Sequence, residues 1–311
     1  MVRLRPAALL VSLILLLAAC AAGPLGNPAP ITRAALTPAA VAADGTRLAM
    51  SSWPAHGRPR AVILALHGFG DFGPSTYDAA ADAWAARGIT TYAYDQRGFG
   101  RNDSFRRWPG PEILESDLRA VAALIRARHP DLPLIVVGHS MGGGVALAAA
   151  GDGLAADALV LAAPAIAGGD GIPPSQRFGG WLAAALAPDK RFTGKGLVRI
   201  VPTDNDAAWR SVSRNPRHFG DPSGRELMGL IRVMDRAAAA APRVTLPTLT
   251  LMGRQDQILR TGAVRRVHRQ IAGRKRFVLY DDGWHWLFRD LQAARVWDDV
   301  ASFALAQRRR P

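Results

Sequence analysis

Continuous apolar runs recur along this chain and alternate with stretches of helical periodicity. Ala61-Val62-Ile63-Leu64-Ala65-Leu66, Ile89 to Tyr94, Leu134-Ile135-Val136-Val137, Asp157 to Leu161, Pro247 to Met252 and Arg276 to Tyr280 read as strands. Most of these runs lack the in-out alternation of a half-exposed sheet, so the central strands are expected to be covered on both faces. Between them, Ser75 to Arg87, Pro111 to Arg128, the run Val145 to Ala150, Thr261 to Ile271 and Trp286 to Ala306 read as helices. The alternation predicts an α/β fold, a mostly parallel sheet with helices on both faces. Near the start, Ala35 to Ala42 and Thr46 to Trp53 flank Asp44-Gly45, a hairpin signal.

One stretch does not fit the alternation. Between the strand ending near Ala162 and the one starting near Pro247 lie about eighty residues that a minimal sheet does not need. The expected division is therefore a core over 35–164 and 244–311, with a helical cap inserted over 165–243. The cap opens on Gly168-Gly169-Asp170-Gly171-Ile172-Pro173-Pro174 and carries Phe178, Trp181, Leu182 and Leu186, then Leu227, Leu230, Ile231 and Met234 at helical spacing. Such stripes either seal the cap onto the sheet or line an apolar channel.

Gly138-His139-Ser140-Met141-Gly142 sits between a buried-strand run and a helix-forming run. G-x-S-x-G in that setting is a nucleophile elbow: a strand-to-helix turn so tight that flanking side chains would collide, lifting the serine hydroxyl to where a base can reach it. Partners follow in the order acid, then histidine. Gly253-Arg254-Gln255-Asp256 ends a late strand and offers Asp256 as the acid; Asp281-Asp282-Gly283-Trp284-His285 ends the next strand and offers His285 as the general base. Asp281 and Asp282 compete for the acid role, although their closeness to His285 in sequence fits a turn better. An oxyanion hole needs two N–H donors. Met141, just after the serine, supplies one; Phe69, in His67-Gly68-Phe69-Gly70 after an early strand, supplies the other. His67 and His139 read as structural residues around this site.

Taken together, His67-Gly68-Phe69-Gly70, Asp95-Gln96-Arg97-Gly98-Phe99-Gly100, Gly138 to Gly143, Asp256 and His285 make the chain resemble the monoacylglycerol lipase and lysophospholipase branch of the α/β-hydrolase superfamily, related to S33 serine aminopeptidases, over about residues 35 to 307. Asp71 and Tyr77 loosely match an acidic residue and a tyrosine that the family carries after the first motif. The second motif departs from the family's D-x-x-G-H-G-x-S, with Phe99 at the histidine and Asn102-Asp103 where the serine falls. The resemblance implies cleavage of a carboxylic ester with one acyl chain, through an acyl-enzyme on Ser140. Epoxide hydrolases and dehalogenases of this fold use an aspartate there. Short-chain esters, thioesters or an N-terminal amide are alternative substrates, and a non-catalytic lipid-binding envelope protein is the alternative of another class.

The N-terminus suggests a location. Arg3 and Arg5 precede an apolar run from Ala7 to Ala19, too short to span a bilayer comfortably, and Leu17-Ala18-Ala19-Cys20 resembles a bacterial lipoprotein signal. Cys20, the single cysteine, is where a lipid would attach; a plain secretory leader is the alternative. Residues 1–20 then read as signal and 21–34, rich in Ala, Gly and Pro, as a tether. Ala21 lacks the aspartate associated with inner-membrane retention, which favours the outer membrane, facing the periplasm. The formal net charge of +14 raises nucleic acid as a partner, yet the arginines are dispersed and no nucleic-acid module is present. Attraction to anionic lipid is the milder reading. The seven histidines are scattered, H-E-x-x-H is absent and no cysteine pair exists, so neither metal nor cofactor is expected.

Overall fold

A computed structural model describes residues 35–36, 39–42, 44–193 and 200–309. The expected signal, Cys20 and the expected tether lie outside the described residues. The chain enters through β1 (Ala35–Leu36) and a small antiparallel hairpin, β2 (Ala40–Val41) with β3 (Arg47–Leu48), turning at Asp44 and Gly45 as the sequence predicts. β4 (Met50–Trp53) then joins the main sheet rather than the hairpin, pairing antiparallel with β1 and with β6 (Ile89–Tyr94).

Among the described residues the main sheet has eight strands in the order β1-β4-β6-β5-β7-β8-β9-β10, where β5 is Ala61–Leu66, β7 Leu134–His139, β8 Ala158–Ala162, β9 Thr248–Gly253 and β10 Lys275–Tyr280. From β6 to β10 every pairing is parallel. Every residue of β5 to β9 is buried, which is what apolar runs without alternation demand; β10, at the edge, is exposed at its start. Helices α1 (Gly73–Ala86), α2 (Pro111–Arg128), α3 (Met141–Gly151), α7 (Thr261–Gln270) and α8 (Ala293–Leu305) connect and cover the strands.

The strand order fixes where a site can form. After β5 the chain moves to one side for β6, then returns to the other side of β5 for β7 and onward. The loops after β5 and β7 therefore diverge at a switch point and leave a crevice at the carboxyl ends of the strands. Among the described residues, three α-helices lie between β8 and β9: α4 (Pro174–Leu186), α5 (Asp206–Arg214) and α6 (Gly224–Ala240). α6 starts on a capping box, with Ser223 Oγ accepting from the Glu226 N–H and Glu226 accepting from the Ser223 N–H; it packs along α3, where Val233 faces Gly144, and along α4, where Ile231 faces Gly180.

Two expectations are corrected. The helix read from Trp286 begins only at Ala293, because 286–292 form successive turns whose side chains serve tertiary contacts. The stripe on α4 does not seal it onto the sheet: Leu182 is half-buried, and Phe178, Trp181 and Leu186 are 57%, 56% and 77% exposed.

Candidate active site

Ser140 has φ 51° and ψ −118°, a conformation that a side chain rarely adopts and that costs about 1–3 kcal/mol. The surroundings hold it there. Its N–H donates to the Ala162 carbonyl at 3.0 Å, and its own carbonyl accepts from Gly143, Gly144 and Ala165. The elbow is as tight as G-x-S-x-G requires, for a Cβ on Gly142 would stand 2.5 Å from the Leu66 carbonyl oxygen and 2.6 Å from that of His67. That close approach also presses the start of α3 against the loop after β5.

The three residues expected to act together meet. His285 Nδ1 lies 2.8 Å from Asp256 Oδ2, and Nε2 lies 3.0 Å from Ser140 Oγ. A carboxylate can only accept, so Nδ1 carries the proton and Nε2 is left to accept from the serine hydroxyl. The Asp256 side chain is fully buried; its other oxygen accepts from the Ile258 and Leu259 N–H groups at 2.8 and 2.9 Å. Burial alone would raise this carboxyl, but the adjacent His285 and these hydrogen bonds hold it below the usual carboxylate range. The rival acids are elsewhere: Asp281 pairs with Arg254 at 2.7 Å and Asp282 with Arg295 at 3.3 Å, both on the surface.

Among the described residues, neither the Phe69 N–H nor the Met141 N–H donates to another protein group. Met141 is the first residue of α3, where an N–H has no intrahelical acceptor. Met141 follows Ser140 directly, and the loop that carries Phe69 passes close to it, for a Cβ on Gly68 would stand 3.2 Å from Ser140 Cβ. His67 is structural, as expected: its Nε2 accepts from the Gln96 N–H at 2.8 Å, so Nδ1 donates to the Gly68 carbonyl at 2.7 Å, and burial pushes its pKa down. His139 does more than pack, because its Nε2 donates to the His285 carbonyl at 2.9 Å and steadies the backbone of the base. Burial, with His285 beside it, lowers the His139 pKa to about 3 and keeps the ring neutral.

Phe99, where the family pattern has histidine, stacks at 5.7 Å on Phe219 and meets Phe69 edge-on at 5.4 Å. Asn102 replaces the serine of that motif by accepting from the Ala49 N–H and donating to the Asp95 and Gln96 carbonyls. Sequence reasoning missed Phe219, whose N–H donates to the Gly70 carbonyl, and it missed Asp290, which accepts from the Trp284 N–H at 2.8 Å and braces the histidine loop. It also missed Arg289, which pairs with Asp71 at 2.8 Å. No short-range pattern marks these contacts.

A parallel sheet, a serine on the turn after β7 and a Ser-His-Asp relay at the carboxyl ends of the strands define an α/β-hydrolase. Residues 57–292 match the family described as serine aminopeptidase, S33, and the chain belongs to that family. It is 30% identical to a monoacylglycerol lipase of Mycolicibacterium smegmatis over 280 residues, 84% of this chain and 94% of that one. It is 28% identical to the monoglyceride lipase of Mus musculus over 264 residues, 82% of this chain and 84% of that one. In fold it is similar to a soluble variant of monoglyceride lipase from Saccharomyces cerevisiae, with a TM-score of 0.72 and 21% identity over 91% of this chain and 98% of that one. A monoacylglycerol lipase from Paleococcus ferrophilus gives a TM-score of 0.70 and 20% identity over 84% and 99%. The chain is an ester hydrolase of this family.

Proposed function

We propose that this enzyme cleaves the carboxylic ester of a lipid with one acyl chain, a monoacylglycerol or a lysophospholipid, through an acyl-enzyme on Ser140. The observation that carries the reading is the unbroken relay Asp256–His285–Ser140, at 2.8 and 3.0 Å, on a strained serine. Ser140 Oγ attacks the ester carbonyl as His285 Nε2 takes its proton. Asp256 holds the Nδ1 proton and stabilises the imidazolium, while the Phe69 and Met141 N–H groups receive the oxyanion. His285 then protonates the departing alcohol. Water, deprotonated by His285, attacks the acyl carbonyl and releases the fatty acid. The lipid substrate is favoured because the relatives named above are monoacylglycerol and monoglyceride lipases.

From Arg3, Arg5, the apolar run Ala7 to Ala19 and Leu17-Ala18-Ala19-Cys20 we further propose that the enzyme belongs to a bacterial envelope, held to the outer membrane by a lipid on Cys20 and facing the periplasm. Two experiments test it. Protein lacking residues 1–20 is assayed on a panel of monoacylglycerols, lysophospholipids, short-chain esters and thioesters, with Ser140→Ala as blank and fluorophosphonate labelling of Ser140 as the covalent readout; labelling without lipid-ester turnover would shift the substrate class. For the anchor, cells fed an alkyne fatty acid should label the full-length chain and not Cys20→Ser.

A further inference from the structure

Residues 257–280, which run through α7 to the end of β10, carry seven basic side chains and no acidic one. Elsewhere many arginines are met by carboxylates, Arg97 by Asp44 and Asp117 and Arg236 by Glu112 and Glu115. Here, among the described residues, only Arg276 is, reaching Asp299 at 3.6 Å. Three more of the seven serve the fold: Arg265 lies 4.2 Å over the Phe277 ring, Arg269 sits in the last turn of α7, and Lys275 Nζ donates to the Ile271 carbonyl at 2.6 Å. Arg260, at the helix end that disfavours a cation, Arg266 and Arg274 are exposed, and their side chains have no partner among the described residues.

The charges gather toward the end of the sheet away from Ser140. Arg266 and Arg269 stand one turn apart on α7, a like-charge pair that costs the helix stability. Burial, with Lys275, Arg265 and Arg269 around the ring, lowers the His268 pKa to about 4. At the amino ends of β9 and β10, Arg274 meets Arg308 and Arg309 around a groove of about 370 Å³. Asp157 also lines the groove, but its carboxylate is engaged by Arg126 and the Leu134 N–H. Arg309 is held by the Pro130 carbonyl at 2.7 Å, and the Arg308 side chain has no partner among the described residues. Guanidinium groups kept together without a carboxylate repel one another until an anion joins them.

Phosphate groups are such anions, and a bilayer presents them as a layer that cations alone can meet. A single-stranded nucleic acid also needs ring faces for its bases. Of the two aromatic rings in 257–280, Tyr280 is buried and Phe277 is covered by Arg265.

We infer that the C-terminal half of α7, the start of β10 and the segment after α8 form a docking surface for the phosphate groups of an anionic lipid bilayer. It depends neither on the lipid at Cys20 nor on the role of Ser140. The full chain is titrated with vesicles of phosphatidylcholine alone and with equimolar phosphatidylglycerol, at low and at high salt. Three forms are compared: the native chain, Arg266→Gln/Arg274→Gln/Arg308→Gln, and Arg47→Gln/Arg58→Gln/Arg60→Gln, three exposed arginines elsewhere in the fold. Residues 1–34 are the same in all three, so their contribution cancels. The native chain should prefer the phosphatidylglycerol vesicles, and salt should remove the preference. The first triple variant should bind them roughly a hundredfold more weakly, about fivefold for each basic residue at the surface, and the second within about threefold of the native chain. No native preference, an unchanged affinity in the first triple variant, or equal losses in both overturns the surface. Displacement of the vesicles by duplex DNA at equal phosphate concentration overturns it in favour of nucleic acid. Equal turnover of a short-chain ester shows that each form is folded; if the first triple variant is not, Arg308→Gln alone decides, with an expected loss of about fivefold.

Discussion

The carboxyl rim of the sheet and the outer face of the cap helix α4 are built in opposite ways. At the rim, the Asp256 side chain is fully buried with both oxygens engaged, His285 is held by bonds at each ring nitrogen and at its carbonyl, and Ser140 is clamped in a strained backbone conformation. On α4, Gly180 is the sole buried residue, while Phe178 and Trp181 stack on each other at 5.9 Å in the open. The rim is determined by many contacts at once, so it tolerates little change. The face of α4 answers to few contacts and can vary without cost to the fold.

The largest effects should come from breaking the rim. Ser140→Ala should lower kcat by roughly 10⁴–10⁶, and Asp256→Asn by about 10⁴, because an asparagine cannot hold the Nδ1 proton in place. Asp281→Asn is the contrast, with turnover within about twofold of the native enzyme, since its carboxylate serves Arg254 on the surface. Steady-state ester hydrolysis measures all three. Comparable losses from Asp256→Asn and Asp281→Asn would move the acid role.

A smaller effect is expected where the two regions join. Gly70 has φ +70°, and a Cβ there would collide with the Phe219 carbonyl oxygen. Gly70→Ala should destabilise the protein by about 1–3 kcal/mol and lower kcat, because the displaced loop carries the Phe69 donor. Urea unfolding and steady-state rates report the two losses separately. A normal kcat in a destabilised protein would show that Phe69 does not move with Gly70.

Below this lies a pH effect at Asp290. Burial pushes its carboxyl up to about 6, from an ordinary 3.8. Between those values the folded protein keeps a proton that the unfolded chain has released, so stability falls as pH rises through the window and stays reduced above it. Asp290→Asn preserves an oxygen to accept from the Trp284 N–H and removes the titration. Its stability relative to the native protein should improve from about pH 4 to pH 6 and level off at no more than roughly 2–3 kcal/mol. Unfolding measured across that range checks the sign; a difference that does not change with pH would mean that Asp290 is already ionised in the folded protein near pH 4.

What could be read in advance follows the same division. The elbow is legible because its physics is local: a buried run, a glycine on either side of a serine, and a small-residue helix fit within a few turns of chain. Asp256 was separable from Asp281 and Asp282 because those two stand three and four residues before His285, where a turn role fits better, while Asp256 closes the preceding strand in the order serine, acid, histidine. Arg289, Asp290 and Phe219 acquire their roles from partners distant in sequence, and no periodicity marks them. Helix α5 escaped for another reason: only Val212 is buried in it, so its apolar signal is faint, although Asn205-Asp206 marks its start and the Asn205 side chain accepts from the Ala208 N–H at 3.1 Å.

The smallest predicted effect is the sharpest check on the contrast between rim and cap. Leu186 is a large apolar residue for which sequence patterning allows a packing role, and burying such a side chain would stabilise the fold by roughly 1.5–3 kcal/mol. In the structure it is 77% exposed. Leu186→Ser should therefore change unfolding free energy by less than about 0.5 kcal/mol, whereas Leu64→Ala, in the fully buried β5, should cost about 2–5 kcal/mol. The pair is measured by denaturant unfolding at fixed pH. A loss of more than about 2 kcal/mol from Leu186→Ser would mean that something covers this face in the folded protein, and the cap would then belong with the rim as a determined surface.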